Sequence, residues 1–351
     1  MRNKVGIGSF FHSIAAEEIV DFKTEILISN YSLFYTGRHA IKFIFDQLSK
    51  EKKIEKIWLP NYYCQHVTSW LQNCYTNIHF YPIDPFHKDH SLAILDFATA
   101  NDIVLLNNFW GIFNYTIPNT ADRPICIEDH SHGWLSSGCL ESSADYCVAS
   151  LRKTLPVPLG GILWQPNKKQ HKTIPLKAIP NTEFYENWGR IHAAMNLKQE
   201  YLIGTEEATA KDNYLAAIAT SENYLQHQYE VVPLQPAHHE LITSFLTKDY
   251  TVYKKQNFKI LCNNLTPNTS FKIITNLTNT PFGLHLVFKD RKTFASLKAH
   301  LIENEIYPSE LWPGNDPTKS WSYLLNIHID YRYTEADMIY IATTINQWVN
   351  R

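Results

Sequence analysis

Ala144-Asp-Tyr-Cys-Val-Ala-Ser150-Leu-Arg152-Lys153-Thr-Leu-Pro156-Val-Pro158-Leu-Gly160-Gly161 holds a strand, a lysine and a forced turn in one short stretch. Its aromatic and β-branched start predicts a strand over Tyr146–Ser150. Two prolines and a Gly-Gly pair then send the chain straight back into a second strand over Gly161–Gln165. A lysine placed there is held by a rigid turn; the alternative is an ordinary Arg-Lys pair on an exposed loop. Upstream, Pro124-Ile-Cys-Ile-Glu128-Asp129-His130-Ser131-His132-Gly133 repeats the form, an apolar strand running straight into an acid and two histidines. Ligands of open α/β sheets bind outside the carboxyl ends of the strands, so Asp129 and Lys153 are expected to face one crevice.

Working outward, short β-rich runs over Ile57–Leu59, Ile78–Ile83, Ile103–Asn107 and Ile125–Glu128 alternate with helical patterns over Arg38–Leu48 and Gln65–Leu71. That alternation predicts a mostly parallel sheet covered by helices. After Pro180 long helices are expected over Glu183–Leu202 and Ala208–Gln228, followed by a Pro-rich break at Val232–Ala237 that reads as a hinge. Beyond it, strands over Lys272–Thr275, Gly283–Phe288 and Tyr323–Ile329 and helices over Arg291–Glu303 and Glu335–Val349 predict a small α/β domain. The division expected is 1–235 and 236–351.

Composition narrows the function. The 351 residues carry Lys+Arg 32 against Asp+Glu 34, a formal net charge of −2 with no long run of one sign, so neither nucleic acid nor an anionic membrane is an expected partner. No apolar segment approaches the ~18–20 residues that span a bilayer. Six cysteines lack Cys-x-x-Cys spacing, and Glu17 and Glu18 fall where a signal peptide needs an apolar stretch, so a cytoplasmic protein with reduced thiols is expected. Five Asn-x-Ser/Thr sequons would then carry no glycan. His130-Ser-His132 and His238-His239 do not have zinc-ligand spacing, and no metal is expected. Phosphate loops of the GxGxxG and GxxxxGK[ST] kinds are absent.

Tyr35-Thr36-Gly37-Arg38-His39 opens the first helix, and a Thr-Gly helix start leaves N–H groups and the positive end of the helix dipole for an anion such as phosphate. Ser150 offers a second hydroxyl to the same group.

Taken together, Lys153 before Gly160-Gly161, Asp129 and His132 in an Ile-Glu-Asp-x-x-His setting, Thr36-Gly37-Arg38, and Pro60-Asn61-Tyr62-Tyr63-Cys64 resemble a fold-type I pyridoxal-phosphate (PLP) aminotransferase of the DegT-type, sugar-aminotransferase-like group. Asn107-Asn-Phe-Trp-Gly111, Ile306-Tyr-Pro-Ser-Glu-Leu-Trp-Pro313 and His328-Ile-Asp-Tyr-Arg-Tyr333 extend the likeness over nearly the whole chain. The resemblance implies an α/β fold with a mostly parallel seven-stranded sheet flanked by helices, plus a small C-terminal domain, in a homodimer. It implies that Lys153 is the Schiff-base lysine and proton carrier, that Asp129 pairs with the pyridine nitrogen, and that His132 approaches the ring oxygen. Thr36, Gly37, Arg38 and Ser150 would hold the phosphate; Tyr63, Cys64 and Asn108 complete the cofactor set. The ring-stacking aromatic is replaced by Cys64, flanked by Tyr62, Tyr63 and His66. Arg332, with Arg190 second, is the candidate for an anionic substrate group, since guanidinium pairs carboxylate and phosphate bidentately. The expected reaction passes an amino group from an amino donor to a keto or amino sugar or another small keto compound. The alternatives are lyase-like chemistry or a regulatory role on the same fold. The compact Ser150-to-Lys153 spacing departs from that of nucleotide-sugar enzymes and leaves the substrate open, whereas an intact lysine speaks against the dehydratase branch that carries histidine there.

Overall fold

The computed structural model describes residues 6–8, 10–14, 28, 30–86, 92–166, 182–204, 209–276, 279–312 and 321–350. In chain order come β1 (Ile7–Gly8), β2 (Tyr31–Phe34), α1 (Gly37–Glu51), β3 (Ile57–Pro60), α2 (Gln65–Cys74), β4 (Ile78–Tyr81), β5 (Ile103–Asn107) and β6 (Ile125–Asp129). Then follow α3 (Ser137–Leu140), β7 (Tyr146–Ser150), β8 (Gly161–Trp164), α4 (Thr182–Ile203), α5 (Thr209–Gln226), α6 (Pro236–Leu246) and α7 (Thr251–Asn264). The chain closes with β9 (Lys272–Ile274), β10 (Leu284–Phe288), α8 (Arg291–Glu303), β11 (Ile306–Tyr307), β12 (Ser309–Glu310), β13 (Tyr323–Ile327) and α9 (Glu335–Val349).

Seven strands form one sheet in the order β2-β8-β7-β6-β5-β3-β4. β4, β3, β5, β6 and β7 run parallel, and β8 is antiparallel to both of its neighbours. Both sheet faces are covered, which is why the central strands are apolar throughout rather than alternating. Leu105, Ile127 and Val148 face the cluster holding Ile41 and Phe45 of α1 and Trp70 and Leu71 of α2. Leu106, Cys126, Cys147 and Ala149 face the other way, with Phe184, Trp188 and Met195 of α4 and Leu225 of α5. The short return from β7 to β8 needs Gly161: a β-carbon there would overlap the Thr36 carbonyl and lie 2.7 Å from the Gly37 nitrogen. β8 thereby locks the start of α1 against the end of β7.

The small unit is a four-stranded antiparallel sheet, β12-β13-β10-β9, packed on α7, α8 and α9. The Pro-rich stretch expected to be a hinge instead starts α6, with Pro236 in its first turn, and Ile242, Phe245 and Leu246 join the large core. Proline is accepted there because a first-turn residue has no intrahelical N–H bond to lose. The small core takes in Phe258 of α7 and also Ile7, whose strand β1 pairs with β11. Among the described residues no helix is long and apolar enough to cross a membrane.

Candidate active site

The carboxyl ends of β3, β5, β6 and β7 converge with the start of α1 on one cleft of about 550 Å³, counting its open mouth. Asn107, Asp129 and Val148 are register neighbours on β5, β6 and β7, so their side chains share a sheet face, and all three line the cleft. Thr36, Gly37, Arg38, Tyr63, Cys64, Ser131, Ser150, Arg152, Lys153 and Trp312 complete most of its wall. The lysine and the acid picked out from two separate strand-end motifs therefore meet at one place.

Asp129 is buried at 6% exposure. Its Oδ1 accepts the Ser131 N–H at 2.8 Å, and its Oδ2 accepts the Tyr63 hydroxyl. Burial, and next the charge of Asp129, push the Tyr63 phenol well above its ordinary value, so that it stays a donor. Each carboxylate oxygen has a lone pair left for a further donor. Beside it the Asn107 Nδ2 is buried with no hydrogen-bond partner among the described residues.

Lys153 sits in a short 3₁₀ turn, Leu151–Lys153, at the end of β7. Its Nζ lies 3.3 Å from His132 Nε2. The His132 ring packs almost parallel to Phe282 at 4.5 Å, Trp312 at 5.1 Å and Trp110 at 5.6 Å. Burial, reinforced by Lys153, holds this imidazole well below its ordinary value and thus neutral, with one ring nitrogen left to accept a hydrogen bond.

At the other end of the cleft, Thr36 caps α1 by accepting the His39 N–H at 3.3 Å. Gly37 passes so close to the end of β7 that a β-carbon would come within 3.0 Å of Ser150 Cβ. Two guanidinium groups border this end. Arg152 pairs with Glu222 of α5 at 2.5 Å, and Arg38 lies 4.0 Å from the same carboxylate. The pair holds Glu222 below its ordinary value against the opposing effect of burial.

Three expected site residues lie elsewhere. Asn108 points away from the cleft, donating to Glu128 Oε1 at 2.9 Å and to the Phe113 carbonyl at 2.8 Å, while its neighbour Asn107 takes the cleft position. Successive residues at a strand end face opposite sides, and the stretch offered two asparagines. Arg332 has its fork closed by Asp330, at 2.6 Å through Nε and 2.8 Å through Nη2, with Nη1 on the Phe10 carbonyl at 2.9 Å and the Phe11 ring 3.9 Å away. Each of its three nitrogens donates inside the protein. Arg190 lies on α4 and donates to Asn187 at 3.0 Å. Asn107, Ser131, Val148, Arg152 and Trp312 are lining residues that motif reading passed over. Trp312 belongs to the Tyr-Pro-Ser-Glu-Leu-Trp-Pro segment, and its φ of 53° is a left-handed conformation rare for so bulky a residue.

No protein-family profile and no curated protein matches the sequence. Structural comparison finds the sugar aminotransferase CalS13 from Micromonospora echinospora, 14% identical, with a TM-score of 0.62 over 98% of this chain and 99% of that one. Spr1654 from Streptococcus pneumoniae, assigned as a sugar aminotransferase and solved in its PLP form, is 11% identical with a TM-score of 0.61 over 98% and 99%. The Escherichia coli GDP-4-keto-6-deoxy-D-mannose-3-dehydratase with bound hydrated PLP is 11% identical with a TM-score of 0.60, again over 98% and 99%. Over nearly its whole length the chain thus has the fold of the fold-type I PLP enzymes.

Proposed function

We propose that this protein is a PLP-dependent aminotransferase acting on a keto sugar or another small keto substrate. The observation that carries the reading is the convergence of Lys153 and Asp129, from neighbouring strand ends, on one cleft that also holds the start of α1. The residues present fit the cofactor: the unpartnered Asn107 Nδ2 marks a polar position awaiting a partner, and the close pass of Gly37 over Ser150 leaves a cradle at the helix start. When bound, PLP supplies an amine-reactive carbonyl and an electron-accepting pyridine ring.

Thr36, Gly37 and Ser150 would hold the phosphate, with the positive helix end and the guanidinium groups of Arg38 and Arg152 balancing its charge. Cys64, Val67 and Val148 offer apolar walls to a flat ring. Asp129 would hold a protonated ring nitrogen, an opposite charge at hydrogen-bond distance favouring the charged form. Tyr63 and the Ser131 N–H fix that carboxylate in place. Lys153 Nζ is the amine placed to take and return a substrate proton, with the neutral His132 ring beside it. The chemistry assigned to CalS13 favours transamination on a sugar-like acceptor.

The test is incubation of purified protein with PLP, borohydride reduction and peptide mapping. A visible band that reduction fixes as a pyridoxyl adduct on Lys153 is expected, as is release of a keto acid from an amino donor; protein that acquires no band would end the proposal. Asp129→Asn replaces a charge with a neutral amide at unchanged size. It is expected to keep the bound cofactor and lower kcat by ~10²–10³-fold, the range for removing one fixed electrostatic contact in an active site. Steady-state kinetics on the fully loaded variant measures this.

A further inference from the structure

Beyond His132, away from the cleft, the small unit presents a second polar surface to the large one. Lys254 of α7 is 3% exposed, and among the described residues its ammonium makes no hydrogen bond and no ion pair. It stands 5.5 Å over the ring of Phe282, the same ring that packs 4.5 Å from His132. Lys153, His132, Phe282 and Lys254 therefore form one continuous chain of contacts. Next to it, His285 of β10 and Asn326 of β13 are register partners, both at 0% exposure. Among the described residues neither ring nitrogen of His285 and neither polar atom of the Asn326 amide has a hydrogen-bond partner. His285 packs 5.1 Å from Trp110, so this face of the small sheet looks toward the large unit. Asn326 has its place through Gly283, where a β-carbon would overlap its Oδ1.

A buried cation without a partner, beside an amide and an imidazole whose donors are all unused, is costly unless something negative completes it. The nearby carboxylate serves only in part: Asp330 attracts the Lys254 charge, yet it is held in two bonds by Arg332, so one carboxylate faces two cations. Burial lowers the Lys254 amine to about 8, so most of it remains charged at neutral pH. Burial keeps His285 neutral, down at about 3. The excess charge is thus positive.

We propose that Lys254, with His285 and Asn326, forms a binding site for an anionic group of the substrate, a carboxylate or a phosphoryl group, on the far side of His132 from the cofactor cleft. The anion would complete the compensation of the Lys254 charge that Asp330, shared with Arg332, leaves unfinished, and an amine or carbonyl on the same molecule would extend past His132 toward Lys153. The identification of the anion with a substrate rests on the aminotransferase reading; the anion site itself does not.

The experiment is calorimetric titration of PLP-loaded enzyme with succinate and, separately, with pyrophosphate, on wild type, Lys254→Met and the distant control Lys298→Met. Binding by wild type and by the control, weakened about tenfold or more in Lys254→Met, is the expected result, since a charge-assisted bond is removed. Succinate alone would assign a carboxylate, pyrophosphate alone a phosphoryl group. No binding of either anion, or equal binding by wild type and Lys254→Met, overturns the proposal. Thermal melting of the same proteins keeps the test open if the variant binds nothing. A lysine held in reserve for a ligand predicts that Lys254→Met melts higher than wild type, because methionine fills the space without the desolvation cost. A lysine that serves only the architecture predicts a lower melting temperature, and that result counts against the site. Enzyme that never acquires the visible cofactor band defeats the aminotransferase reading instead, and the anion titration can then be read on unloaded protein.

Discussion

Lys153→Ala is expected to lower transamination by more than about 10⁴-fold while leaving the protein folded. The magnitude follows from two losses at one atom. Proton transfer by a positioned side chain contributes typically ~10²–10⁴-fold, and the amine that holds the cofactor covalently disappears at the same time. The fold has little stake in this side chain: Lys153 is partly exposed, among the described residues its Nζ makes only the 3.3 Å contact with His132, and the turn around it is set by backbone bonds from Thr154 and Leu155 to the Leu151 carbonyl. Stability should therefore change by no more than about 0.5 kcal/mol, as for substitutions away from packed features. The variant should also lose the borohydride-fixed adduct. Retained activity with the adduct moved to another lysine would show that Lys153 is not the reacting amine. Retained folding with both signals lost would tie the amine to the chemistry.

How far such a site can be read from sequence depends on which physical signal places each residue. β5, β6 and β7 are buried on both faces and stand out as unbroken apolar runs, and the motif residues Asp129 and Lys153 follow from where those runs stop. β2 carries Tyr31 and Ser32 at partial exposure on a sheet edge and gives no comparable run. α6 was hidden by Pro236, which signals a break as readily as a helix start, and α7 by its weak apolar periodicity. Asn107 and Asn108 differ only by which side of the strand end they face, information held in the register of three strands and not in two adjacent letters. The pairing of Arg332 with Asp330 is local in sequence, yet either side chain could have faced a ligand until the close approach of Phe10 and Phe11 closed the arrangement. Lys254, His285 and Asn326 belong to no motif at all, and only tertiary packing brings them together opposite His132.

Acid should unfold this protein unusually steeply. His39, His285 and His328 are buried, and burial lowers each to about 3. The bonds made by His39 suit a neutral ring, with Nδ1 accepting from the Thr36 hydroxyl at 2.7 Å and Nε2 donating to the Gln228 carbonyl at 3.1 Å. His328 shares a 2.9 Å bond with Ser309, and Arg332 adds repulsion against its protonated form. In the unfolded chain all three would take up protons near pH ~6.5, whereas the folded protein does not bind them until about pH 3. Between those limits the unfolded state binds more protons, so stability is fully present above ~6.5 and falls as pH drops. Each histidine costs about 1.4 kcal/mol per pH unit once below its unfolded value, or roughly 4 kcal/mol per unit for the three. A total stability of about 5–15 kcal/mol would be consumed within a few units. His132 shifts in the same direction, and the Glu222 carboxylate, held below its ordinary value by Arg152 and Arg38, adds to the loss in more acid solution. Urea denaturation at pH 7, 6 and 5 measures the slope directly. His285→Leu should flatten it by about one proton, because among the described residues that ring makes no hydrogen bond to lose. Stability unchanged between pH 7 and 5 would mean that these rings are solvated or already charged in the folded protein, and would remove with them the neutral His285 assigned to the anion site.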